Sequence, residues 1–184
     1  MSQTSERETV RVRAADPADH GAVRDVIRRA YAQYAPTLAP DVFRAYLDDL
    51  TDVDSRRGAD LLVAEAGTEI VGVVTYYRNA SAEGLGWPHR WAGVRALAVD
   101  PAHRGLGVAR LLMRTCVDRA IAAGAPVVCL HTASFMPAAV ALYERLDFRR
   151  APDYDIDVTP LLGVSGDPVM AIAYTQSTDV HGYR

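Results

Sequence analysis

Along the chain, Val10 and Val12 alternate with polar neighbours, and then the period changes: Val23, Val26, Ile27, Ala30, Tyr31 and Tyr34 recur three and four positions apart. The first spacing predicts a half-buried strand, β1, over residues 9–13, and the second an amphipathic helix, α1. Asp16-Pro17 supplies an N-cap residue followed by a proline suited to a first helical position. Pro36 and Pro40 interrupt the helical period, and Val42, Phe43, Tyr46, Leu47 and Leu50 resume it, which predicts α2 over residues 41–50. Two β-branched runs, residues 61–64 and 70–77, are linked around Gly67 and predict an antiparallel hairpin, β2–β3. Residues 78–90 then carry Gly84, Gly86 and Pro88 among polar side chains and predict an exposed connection. Trp87 needs a reason to stand there, and packing against the domain is preferred to a tip closing over a ligand.

Beyond residue 93 the order changes to strand, helix, strand: β4 over residues 94–99, α3 over 105–123 and β5 over 127–132. The connection after the helix is short, so the two strands are expected to run parallel through a right-handed crossover. Pro137 opens another helix, α4, with Ala139, Leu142, Tyr143 and Leu146 on one face, and a strand starts at Phe148. A stretch rich in Asp, Pro and Gly covers residues 151–167, and a last apolar strand covers 168–174. In an extended tail Asp153, Asp155 and Asp157 would share one face and attract a cationic substrate. The order β1-α1-α2-β2-β3-β4-α3-β5-α4, then two more strands, places the chain in the α/β class, with mixed α+β character and one central mixed sheet. Residues 9–175 are expected to form a single domain, between a disordered N-terminus at 1–8 and a C-terminal tail at 176–184.

Length and composition narrow the function classes. The 184 residues suffice for one full hydrophobic core. A net charge of -3 gives no broad basic surface, so a nucleic-acid partner is not expected. No run approaches the ~18 apolar residues of a membrane span, and the N-terminus lacks the apolar core of a signal peptide, so the expectation is a cytoplasmic protein without a membrane partner. Cys116 and Cys129 fall on an apolar helix face and a buried strand, as reduced packing residues do.

The most informative stretch runs from Val94 to Arg110. A strand ends at Asp100-Pro101, a turn bearing Gly105 and Gly107 follows, and a helix opens with Val108, Leu111, Leu112, Thr115 and Cys116 along one face. Unpaired amides and the positive end of the helix dipole converge at such a turn, and the two glycines remove side chains that would hold a phosphate away. Arg104 and Arg110 flank it. Glycines at a strand-to-helix turn also serve close packing alone, so the pair does not decide the matter. A Walker loop is excluded because Gly-Lys-Ser/Thr is absent, and a Rossmann fingerprint because the third glycine is missing and the turn lies mid-chain. No paired carboxylates for a metal ion stand beside the turn, and no metal is expected.

Arg104-x-x-Gly107-x-Ala109, following Leu97-Ala98-Val99-Asp100-Pro101, resembles the acetyl-CoA motif of the GNAT superfamily of N-acetyltransferases. Residues 139–148, Ala-Val-Ala-Leu-Tyr-Glu-Arg-Leu-Asp-Phe, are similar to its Leu-Tyr-Glu-x-x-Gly-Phe run. The resemblance covers roughly residues 10–150. It implies acetyl-CoA as co-substrate, β4 and β5 splayed apart, and the backbone of Leu97, Ala98 and Val99 paired with the pantetheine arm. It further implies a pyrophosphate held by the amides of Arg104, Gly105, Leu106, Gly107, Val108 and Ala109, and Tyr143, on the stripe shared with Ala139, as general acid toward the departing sulfur. Two positions depart from the pattern. Asp147 stands where the family has a helix-ending Gly, and Asp tolerates the left-handed conformation better than most residues. Met136 stands where many members carry an Asn that bonds the pantetheine, with Ser134 or a backbone group as replacement.

An amine must lose a proton before it attacks a thioester. His131, at the end of β5, is the leading candidate base, although a strand-end histidine also commonly bonds backbone, and Glu65 on β2 is the runner-up. The acceptor is a small-molecule or peptide amine, its pocket expected from Tyr31, Tyr34, Phe43, Tyr76, Tyr77 and Trp87. Homodimerisation is left open. The competing reading is an acyl-CoA-binding module without chemistry, against which the presence of Tyr143 argues.

Overall fold

A computed structural model describes residues 9–179. The expected disordered N-terminus, residues 1–8, and the last five residues of the expected tail lie outside the described residues. The elements are β1 (Val10–Ala14), α1 (His20–Tyr31), α2 (Pro40–Thr51), β2 (Ala59–Ala66), β3 (Glu69–Tyr77), β4 (Ala92–Val99), α3 (Val108–Ala122), β5 (Val127–Ala133), α4 (Pro137–Arg145), β6 (Arg149–Arg150), β7 (Ile156–Asp157) and β8 (Met170–Ser177). β7 is a two-residue strand that the hydrophobic pattern does not signal, and β8 is the apolar C-terminal strand. β8 continues through Gln176 and Ser177, opposite Val128 and Val127, past the expected start of the tail. The Asp16-Pro17 signal opens a short 3₁₀ turn, Pro17–Asp19, which leads into α1.

The strands form one sheet in the order β1-β2-β3-β4-β5-β8-β6, with β7 also paired to β8. α1 and α2 cover one face, where Val23, Val26, Ile27 and Leu50 meet Val63, Val73, Ala98 and Ala133. α3 and α4 cover the other, where Val108, Leu112, Cys116 and Tyr143 meet Leu62, Val71, Val94 and Leu130. Each fully buried Val, Leu or Ile side chain contributes about 1.5–3 kcal/mol, so the two apolar stripes read from the sequence are what clamp the helices to the sheet. Gly72 on β3 allows that approach: a Cβ there would meet Val108 Cγ1 at 2.8 Å.

β4 and β5 are parallel, and they pair only at Ala92↔Val128, Gly93↔Cys129 and Val94↔Leu130. β4 stays paired to β3 as far as Val99↔Gly72, and β5 stays paired to β8 as far as Ala133↔Ala171. The sheet therefore opens between its two halves. The opening starts at a bulge: Val73 faces Ala98 while Thr75 faces Arg95, which leaves one extra residue in β4, and Ala96 adopts a φ of 53°.

The connection between β3 and β4 is largely exposed, as its composition predicts, but it is anchored at two points. It contains a 3₁₀ turn, Ala80–Glu83, and both Ala80 and Trp87 are buried. The Ala80 N–H donates to the Trp91 carbonyl at 2.7 Å and closes the loop on itself. Trp87 packs against Trp91, His131 and Tyr154, so its role in the fold is packing.

Candidate active site

A cavity of about 490 Å³ runs through the opening between β4 and β5. Of the candidate residues read from the sequence, Leu97, Ala98, Val99, Arg104, Ala109, His131, Ala139 and Tyr143 line it. Gly105, Leu106, Gly107, Val108 and Arg110 form the turn and first helical residues beside it, outside its walls. Ser134 is exposed and does not line the cavity, whereas Thr132 and Met136 do. Ser134 falls in the turn between β5 and α4, outside the strand whose last residues His131, Thr132 and Ala133 line the cavity.

At the turn, Gly105 and Gly107 have φ values of 77° and 83°, in the left-handed region, so α3 starts at Val108, the first residue of its apolar stripe, and not at the expected bound of 105. A Cβ added at either glycine would meet nothing within 4 Å. The first intrahelical bond is Leu111 N–H to Gly107 O, at 3.0 Å, which leaves the amides of Val108, Ala109 and Arg110 without helical partners. Open space, unpaired amides and a helix dipole together suit an anion such as a pyrophosphate. Arg104 does not point freely at that space: its guanidinium donates to Ala30 O at 3.0 Å and Gln33 Oε1 at 3.3 Å, which ties the turn to α1. Asp100 fixes the other side of the turn by accepting from Ala102 N–H at 2.9 Å and from Arg29 Nε at 2.6 Å.

Tyr143 is buried on α4, its ring 6.0 Å from that of Phe148 and 6.4 Å from that of Tyr174. Burial holds its phenol well above the usual range, so it carries its proton at neutral pH. Among the described residues no group bonds its hydroxyl, unlike that of Tyr31, which donates to Leu97 O at 3.2 Å. Tyr143 lines the cavity; Tyr76, outside it, also has a buried hydroxyl without a partner, so the missing bond alone does not separate packing from chemistry. Asp147 takes the left-handed conformation anticipated for it, with a φ of 64°.

His131 bonds the Tyr154 carbonyl through Nε2 at 2.8 Å. A carbonyl only accepts, so Nε2 carries the hydrogen and Nδ1 the lone pair. That Nδ1 is buried and has no hydrogen-bond partner among the described residues. Burial lowers the ring's pKa and keeps it neutral; the residue lines the cavity, while Nδ1 itself is covered. Glu65, the runner-up, is excluded from this site. It accepts from Arg13 Nε at 2.7 Å and Arg11 Nη2 at 3.2 Å at the β1–β2 edge.

Other expectations were not met. Tyr31 and Tyr34 line the cavity, but Phe43, Tyr76, Tyr77 and Trp87 do not. The three tail aspartates do not form an acidic face. Asp155 is paired with Arg150 at 2.7 Å, Asp157 accepts from Thr159 N–H at 2.9 Å, and Asp153 lies in the 3₁₀ turn Pro152–Tyr154. Local hydrogen bonds override the extended conformation there. The sequence reading also missed Tyr46, Asp49, Glu83 and Arg95, all in the cavity wall. Three of them, Asp49, Glu83 and Arg95, are charges placed beside apolar positions, and Tyr46 belongs to the apolar stripe of α2. Among the described residues no group of three or more His, Cys, Asp or Glu side chains could hold a metal ion, and no helix is long and apolar enough to cross a membrane.

Comparison with known proteins agrees with this geometry. The sequence model of the acetyltransferase (GNAT) family matches residues 22–148, more than half of the chain. N-acetyltransferase 8 of Mus musculus is 32% identical over 126 residues, which cover 68% of this chain and 51% of its own. The uncharacterized N-acetyltransferase YjgM of Escherichia coli K12 is 31% identical over 143 residues, covering 77% of this chain and 82% of its own. The chain spans about half the length of the mammalian relatives it matches. The crystal structure of the PaiA N-acetyltransferase of Thermoplasma acidophilum in complex with coenzyme A superposes with a TM-score of 0.69 at 11% identity, over 92% of this chain and 99% of that one. From the opened sheet, the left-handed glycine turn and the family match together, the chain belongs to the GNAT acetyltransferase family.

Proposed function

We propose that the protein transfers the acetyl group of acetyl-CoA to a primary amine by direct attack in a ternary complex. The observation that carries this reading is the cavity in the β4–β5 opening, whose lining includes Leu97, Ala98 and Val99, Arg104 and Ala109 beside the glycine turn, and both Tyr143 and His131. The backbone of Leu97, Ala98 and Val99 would lie along the pantetheine arm, and the amides from Arg104 to Ala109, with Arg110 nearby, would hold the pyrophosphate at the α3 N-terminus. Tyr143 would protonate the departing sulfur, whose thiol has an ordinary pKa of ~8.5, and His131 Nδ1 would take a proton from the attacking nitrogen. Both groups are neutral in the buried site, the form each role requires.

The test is free-thiol release from acetyl-CoA with a panel of small-molecule amines and amino-terminal peptides, alongside calorimetric titration with CoA. Thiol release with at least one amine is the expected result. CoA binding without release from any amine in the panel would leave the protein as a binding module.

A further inference from the structure

Proton counting asks for more than His131. Near neutral pH an amine of ordinary pKa, like the ~10.4 of a lysine, arrives as R–NH3+, and the product amide keeps one of those three protons. Two must leave the nitrogen, and the first must go before any lone pair exists to attack.

The wall of the cavity contains one charged knot, Asp49, Glu83 and Arg95. The Glu83 side chain is 2% exposed. One of its oxygens accepts the Trp87 indole N–H at 3.0 Å, and the other lies 3.8 Å from Arg95 Nε. The Arg95 guanidinium is itself hydrogen-bonded to Asp49, which leaves Glu83 the weaker share of it, and Arg56, the second guanidinium near Glu83, spends its N–H groups on Thr75 Oγ1 and the Asp49 and Leu50 carbonyls. An incompletely compensated carboxylate in a cavity wall is a place for a cation. The Trp87 ring also lies against the imidazole of His131, with centroids 4.3 Å apart, so one indole orients both groups. The titratable and charged groups facing Glu83 are Asp49 from α2, Arg56 from the loop after it, Tyr77 from β3, Arg95 from β4 and Cys129 from β5. The wall of the same cavity also contains the apolar side chains Leu85, Phe135, Leu161 and Leu162.

We propose that Glu83 is a second proton acceptor of this site, binding the acceptor's ammonium group and taking its first proton, and that the acceptor is a primary amine on an apolar body. The inference rests on the acetyl-transfer reading above. The Glu83 carboxylate and R–NH3+ become a carboxylic acid and R–NH2. The nitrogen lone pair forms the C–N bond at the thioester carbonyl carbon, and the carbonyl π pair moves to oxygen. Its return expels the sulfur, which leaves with the C–S pair and takes a proton from Tyr143. The second nitrogen proton passes to His131 Nδ1. Exchange with water then restores Glu83, His131 and Tyr143, with a net release of one proton per amide formed. Burial pushes the Glu83 carboxyl up to about 7, against Arg95 and the Trp87 N–H, which suits a base working near neutrality.

The probe is 2-phenylethylamine, titrated into CoA-saturated protein by calorimetry and used with acetyl-CoA for initial rates between about pH 6 and 9. Wild type should bind the amine and lose kcat/KM as the pH falls through about 7. Glu83→Gln should weaken amine binding at least ~10-fold, lower kcat/KM by ~10²-fold or more and remove that limb, with CoA binding unchanged. His131→Gln should lower the rate and keep the limb. Glu83→Asp, which retains the charge, should recover binding more than rate. Unchanged binding and an unchanged limb in Glu83→Gln overturn the proposal and leave acetyl transfer standing. A wild type that acetylates putrescine but not 2-phenylethylamine overturns the acceptor class. Loss of amine binding in Glu83→Gln, with no wild-type turnover of any amine, supports the Glu83 site and counts against acetyl transfer.

Discussion

The Phe148 N–H donates to the Tyr143 carbonyl at 3.0 Å, across the left-handed turn made by Asp147, whose own N–H donates to Glu144 O at 3.1 Å. This pair of bonds is a Schellman closure of α4, and it couples the backbone of the cavity tyrosine to a core phenylalanine. Asp147→Gly should therefore fold and keep activity. Asp147→Val forces a β-branched residue into the left-handed region and should cost about 1–2 kcal/mol, read as a lowered Tm, with a fall in kcat as Tyr143 shifts. Equal Tm for the two variants would mean the turn tolerates any residue.

Tyr143→Phe keeps the ring packed on Phe148 and Tyr174 and removes only the free hydroxyl. The expected fall in kcat is roughly 10²–10⁴-fold with CoA affinity little changed. A twofold effect at saturating acetyl-CoA would rule out the acid role, and lost CoA affinity would make the hydroxyl a binding contact.

Gly107→Glu places a carboxylate in the open space before the α3 N-terminus and strains a position with a φ of 83°. Gly124 offers the control, since its φ is 69° and its Cβ space is also empty, but it lies beyond the C-terminal end of α3. Both Gly→Glu variants should lose comparable stability, about 1–2 kcal/mol. Only Gly107→Glu should abolish the calorimetric signal with CoA; undiminished binding would make the turn purely structural.

The burial of Glu83 has a sign in stability as well as in catalysis. Its carboxyl is raised from an ordinary 4.5 to about 7, so the folded protein holds that proton more tightly than the unfolded chain does. Below about 4.5 both states are protonated and nothing is lost. Stability contributed by the protonated form then falls as the pH rises toward about 7, and the loss is complete above it. Glu83→Gln should raise stability at pH ~8 by on the order of 1–3 kcal/mol, and much less at pH ~5. A gain independent of pH in denaturant titrations would contradict a buried, ionising Glu83.

Both cysteines should be silent in a thiol-release assay. Burial pushes the Cys116 thiol up to about 12 and raises that of Cys129, whose S–H also donates to Ala92 O at 3.3 Å. Neither is a thiolate at neutral pH. The native protein should give no fast reaction with a disulfide reagent, and two equivalents should appear after denaturation.

Much of the fold was legible because its signals are local. The three- and four-residue period of α1, α2 and α4, the Gly67 hairpin and the strand–turn–helix at Gly105 and Gly107 depend on residues a few positions apart, and each appears where the pattern places it. The Asp147 turn was legible for the same reason: one residue's left-handed tolerance decides it. Charge partners were not, because they join residues far apart in the chain. Glu65 looked available until the β1–β2 register set it opposite Arg11, with Arg13 reaching the same carboxylate.

By itself the sequence determined the order of the main elements, the two apolar stripes that clamp the sheet, the glycine turn before α3 and the place of the tyrosine on α4. Only the tertiary structure decided which charges entered the cavity. The bulge at Ala96 opened β4 from β5, and the folding inward of Trp87 buried Glu83 beside Arg95. The stacking of that indole on His131, whose Nε2 bonds the Tyr154 carbonyl, left Nδ1 free. Periodicity records how often a position is apolar; the pKa and tautomer of a side chain depend on groups that folding brings from five separate segments, and no local pattern encodes them.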